Sequence, residues 1–80
     1  MKDMLELFVP DLDTAEGARR IEAAVTDERG VQDADADLET QIVTVRYDDD
    51  QIGARSIAHA VEDLGYTVSH RPSERAPGAP

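Results

Sequence analysis

The sequence predicts an α+β domain with the element order β-α-β-β-α-β. Two observations set the order. Three runs alternate apolar and polar residues at the period of a half-buried strand, and two stretches carry apolar residues at helical spacing, each closed by a glycine. A third, the length of 80 residues, allows a single small domain with a thin core.

Leu5, Leu7 and Val9 alternate with Met4, Glu6 and Phe8, which makes a first strand with one face buried. Pro10 cannot donate to a ladder and ends it. The loop Val9–Gly17 then leads into a first helix. Asp13 is placed to cap that helix, with Glu16 three residues on as the second half of a capping box. Ala18, Ile21, Ala24, Val25 and Glu28 share one helical face, and Gly30 is a left-handed stop.

Val31 opens a second strand with Ala34, Ala36 and Leu38 inward and Asp33, Asp35 and Asp37 outward. Its small inward residues suit an edge, and its aspartates discourage edge pairing. Glu39-Thr40-Gln41 is a hairpin-length connection without an Asn-Gly signature. Val43, Val45 and Tyr47 are the inward set of a third strand, alternating with Ile42, Thr44 and Arg46. After the like-charge turn Asp48-Asp49-Asp50, Gly53 caps a second helix with Ile57, Val61 and Leu64 as its buried stripe. Gly65 closes that helix, and Tyr66–Val68 reads as a fourth strand. The domain thus spans residues 1–68, and the Pro- and Gly-rich segment 69–80 reads as a disordered tail.

This order is the split βαβ, or ferredoxin-like, sandwich: a four-stranded antiparallel sheet with two helices on one face. The other face is open, which explains strands that alternate where doubly covered ones would be apolar throughout. Met4, Phe8, Ile42, Thr44 and Arg46 lie on it and are the candidate interaction residues.

Composition narrows the function. Eight Lys and Arg face 18 Asp and Glu, a formal net charge of −10, and this argues against nucleic acid and anionic membranes as partners. RNA binding by such a sheet also lacks its stacking aromatics. No cysteine is present, which removes thiolate metal sites, Fe–S clusters and cysteine nucleophiles. With no leader pattern and no apolar span of roughly 18 residues, the expectation is a soluble cytoplasmic protein. Neither a nucleophile-and-base pattern nor a glycine-rich phosphate loop occurs, so no enzyme is expected.

The fragments V-P-D-L-D-T-A-E-G-A-R-R-I-E, G-V, D-L-E, V-T-V-R-Y-D and I-A-H-A-V-E-D-L-G-Y-T-V, in this order and spacing, resemble the heavy-metal-associated domain family. That family includes copper chaperones and the N-terminal modules of metal-pumping P-type ATPases. The resemblance runs from about Leu5 to Val68. It implies a ferredoxin-like fold, a link to metal-ion binding or trafficking, and a metal-transport protein as partner.

The family's Met-x-Cys-x-x-Cys motif falls on Leu12, Thr14 and Gly17, with Tyr66 at the position of an aromatic that packs beside the metal loop. Leu12 keeps the apolar anchor, but neither Thr14 nor Gly17 offers the soft sulfur that Cu(I) takes. The expectation is therefore a degenerate metal site, no tight Cu(I) binding and no cofactor.

Asp11, Asp13 and Glu16 are weak candidates for a hard cation, since the helix start repels cations and the calcium-loop spacing is missing. His59 falls on the solvent side of the second helix and His70 at the edge of the tail, so a shared site is not expected. The alternative function is a protein-interaction or self-association module that uses the open sheet face or the aspartate-bearing edge strand. A regulatory small-ligand domain would require a pocket at a dimer interface.

Overall fold

The computed structural model of the chain describes residues 1–70. Its elements are β1 (Lys2–Phe8), α1 (Ala15–Thr26), β2 (Val31–Asp37), β3 (Ile42–Asp48), α2 (Ala54–Glu62) and β4 (Ser69–His70). The sheet order is β2-β3-β1-β4, all antiparallel, with three seven-residue strands and a two-residue β4.

Register fixes which residues meet. Leu5 faces Val45 and Leu7 faces Val43, while Ala34 and Ala36 lie across from Val45 and Val43 on the other side of β3. These positions turn toward the helices. Leu7, Val43, Val45 and Tyr47 join Ile21 and Val25 of α1 and Ile57 and Val61 of α2 in one buried cluster. Among the described residues the buried side chains are apolar apart from the Tyr47 hydroxyl, which donates to the Asp3 carboxylate at 3.5 Å. Burial of its Leu, Ile and Val side chains contributes roughly 1.5–3 kcal/mol each.

Five local expectations are corrected. The first helix is capped by Thr14, not Asp13: the Thr14 hydroxyl accepts the Gly17 N–H at 3.0 Å. The cap lies one residue later, so the third helical position is Gly17, which has no side chain to complete a box. Glu28 lies beyond the end of α1 and is exposed, because Asp27 already occupies the C-cap. Leu38 lies past the end of β2 at 40% exposure, in the turn to β3. Leu64 follows the C-cap Asp63 and is 37% exposed. Finally, Tyr66–Val68 is not a strand; pairing starts at Ser69–His70, opposite Phe8 and Leu7. Those two residues belong to the sheet and not to a tail, while the expected tail over 71–80 lies outside the described residues.

The two glycine stops are left-handed as expected, Gly30 at φ 99° and Gly65 at φ 98°. No helix among the described residues is long and apolar enough to cross a membrane.

Candidate functional site

The loop between β1 and α1 is held from three sides. Leu12 is fully buried and anchors it from below, and its N–H donates to the Val9 carbonyl at 3.0 Å. From the β2–β3 turn, the Gln41 side chain donates to the carbonyls of Pro10 and Leu12, both at 3.0 Å. The Val9 N–H returns to the Gln41 carbonyl at 2.8 Å. On the far side, the Asp11 carboxylate accepts the Thr67 N–H at 3.0 Å, which ties the loop to the segment before β4.

At the helix start, Gly17 is buried and Tyr66 stands against it. A methyl group placed at Gly17 would collide with the Tyr66 phenolic oxygen and come within 3.0 Å of the Thr14 hydroxyl. Thr14, Gly17 and Tyr66 thus form one compact contact, while Leu12 lies beneath in the core. The donor set is a hydroxyl and a phenol. Both are hard oxygens, unsuited to a soft monovalent metal.

Asp13 and Glu16 are exposed and Asp11 is occupied by the Thr67 N–H. The structure does not gather these three. Among the described residues, the acidic side chains near enough to share one ion are Asp48, Asp49 and Asp50. The Met1 ammonium already sits among them, at 3.0, 3.3 and 2.7 Å. His59 is exposed and lies 4.0 Å from Asp63, one turn along α2. Met4 and Arg46 are exposed on the open face, and Phe8, Ile42 and Thr44 are half-buried there.

Gln41 is the residue that sequence reasoning missed. It sits at φ 62°, in a left-handed conformation that glycine or asparagine would advertise and glutamine does not.

Residues 6–67 match the heavy-metal-associated domain, most of the chain. The chain belongs to the heavy-metal-associated domain family. A copper chaperone, CopZ, from Staphylococcus aureus is 40% identical over 48 residues, which cover 60% of this chain and 71% of that relative. A structure of a CopZ metallochaperone superposes with a TM-score of 0.82 at 31% identity, covering 84% of this chain and all of the other. The N-terminal domain of a potential copper-translocating P-type ATPase from Bacillus subtilis, solved in its Cu(I)-loaded state, superposes with a TM-score of 0.84 at 25% identity. It covers 99% of this chain and 100% of its own. This member of the heavy-metal-associated domain family contains no cysteine, so the thiolates of the family's metal site are replaced.

Proposed function

We propose that this chain is a non-enzymatic, cytoplasmic module of a metal-handling system that has kept the family scaffold and given up tight Cu(I) binding. Leu12, Thr14 and Gly17 stand at the family's Met and Cys positions, and β4 completes the four-stranded ferredoxin-like sheet. The observation that carries the reading is the contact of the Tyr66 phenolic oxygen with Gly17 beside the Thr14 hydroxyl, in a loop already closed by Gln41 and Asp11. A metal loop needs ligands free to converge on an ion; these side chains are instead engaged in holding the helix start together. The module's remaining role is recognition of another protein, and the relatives' names point to a metal-transport protein as the partner class.

The test is a Cu(I) titration of the purified chain against a strong Cu(I) chelator. The expected result is that copper stays on the chelator at every ratio. A one-to-one complex that strips the chelator would overturn the proposal.

A further inference from the structure

The open face of the sheet carries a charge and apolar pattern that the metal loop does not explain. Register aligns it in rows. Asp33, Arg46 and Met4 make one row, Asp35, Thr44 and Glu6 the next, and Asp37, Ile42 and Phe8 the third. Down the β2 edge, therefore, runs a column of three exposed carboxylates, and Glu6 adds a fourth on β1. Three apolar residues share the face, Ile42 next to Asp37 on β3 and Met4 and Phe8 on β1 at either side of Glu6: Met4 is 56% exposed, and Phe8 and Ile42 are half-buried. Among the described residues, none of these carboxylates makes an ion pair, and the only cations on the face, Arg46 and Lys2, sit together at one end of it.

Edge protection does not account for the column. The free Ala36 N–H on the outer side of β2 is already taken by the Glu22 carboxylate of α1, at 2.9 Å. A register irregularity between Val31 and Asp33 breaks the same edge again. One outer N–H of β2 is thus engaged and its ladder interrupted without the aspartates.

Spacing then decides what the column fits. Alternate residues of a strand lie about 6.8 Å apart, too far for their carboxylates to close on a single ion at the roughly 2.3–2.6 Å of a calcium bond. The same interval is the spacing of alternate side chains in an extended partner. A second copy of this chain would bring its own column and a net charge of −10 to the contact, so like charge opposes self-association here.

We infer that the open sheet face docks a protein segment bearing alternating basic and apolar residues, its cations on Asp33, Asp35 and Asp37 and its apolar side chains on Met4, Phe8 and Ile42. The inference is independent of the fate of the metal loop.

The experiment is an NMR titration of the isotope-labelled chain with a synthetic peptide of alternating lysine and valine. Saturable shift changes are expected at residues 4–8, 33–37 and 42–46, weakening as salt rises. The variant D33N/D35N/D37N loses the response. The control D27N/E28Q/E62Q removes the same charge elsewhere and keeps it. Single substitutions D35N and M4S each weaken binding several-fold, which separates the ionic from the apolar contribution. The inference is overturned if shifts scatter over the helices, if the two triple variants weaken equally, if no saturable shift occurs, or if sedimentation shows a dimer formed through this face.

Discussion

The Tyr66 phenolic oxygen occupies the space where a Cβ at Gly17 would be, so these two residues fit only as a pair. Gly17→Ala therefore has two opposing effects. Alanine gains roughly 1 kcal/mol of helix propensity over glycine, while the forced contact costs about 1–3 kcal/mol as overpacking. We expect net destabilisation in the native background and net stabilisation when Tyr66→Phe removes the oxygen. Urea unfolding of the single and double variants measures this change of sign; equal effects in both backgrounds would refute the pairing.

Restoring the thiolates tests the same contact through chemistry. T14C/G17C supplies two soft ligands at one helix start, but the thiol introduced at Gly17 must displace Tyr66. We expect T14C/G17C to bind Cu(I) measurably and T14C/G17C/Y66F to bind it more tightly, as read by competition with a chelator. Equal affinities would show that Tyr66 swings aside at no cost.

How much of this is legible in the sequence follows from the physics of each part. Strand alternation around Leu7, Val43 and Val45 and the helical stripe of Ile21, Val25, Ile57 and Val61 are period signals, and the structure buries all of these residues. The helix cap is ambiguous by one residue because Asp13 and Thr14 are both good caps and only the backbone path chooses between them. The last strand reads too early because Tyr66 and Val68 look β-prone, yet they pack on the core as partly buried loop residues while pairing waits for Ser69. The site is legible only as a change of residue type. That Tyr66 and Gly17 interlock, and that Gln41 reaches across from a hairpin, are long-range facts without a local signature.

Gln41 combines a strained backbone with two side-chain hydrogen bonds to the loop. Gln41→Ala keeps the left-handed φ and loses both bonds, for an expected loss of ~1–3 kcal/mol. Gln41→Gly loses the same bonds but recovers about 1 kcal/mol of backbone strain, and is expected to be the milder change. Amide exchange should speed up at Leu12 in both, whereas an unchanged rate there would deny that Gln41 holds the loop.

The Asp48–Asp50 turn sets a pH window for the start of β1. Asp48 is held below its ordinary value of 3.8, first by the Asp50 N–H that its carboxylate accepts and then by the Met1 ammonium. The ammonium is raised from 8.0 to about 10, most by Asp50 and next by Asp48. A carboxylate with a depressed pKa favours the folded state above its unfolded value and loses that contribution as pH falls through the folded one. An amine with a raised pKa does so below 8.0, and its contribution fades as pH climbs toward 10. The clamp is therefore complete from about pH 4 to pH 8 and opens on both sides. Titration of the Met1 amine by NMR should show the raised value in the native chain. Asp50→Asn should lower it most, Asp48→Asn less and Asp49→Asn least, and any other order would assign the clamp to the wrong carboxylate.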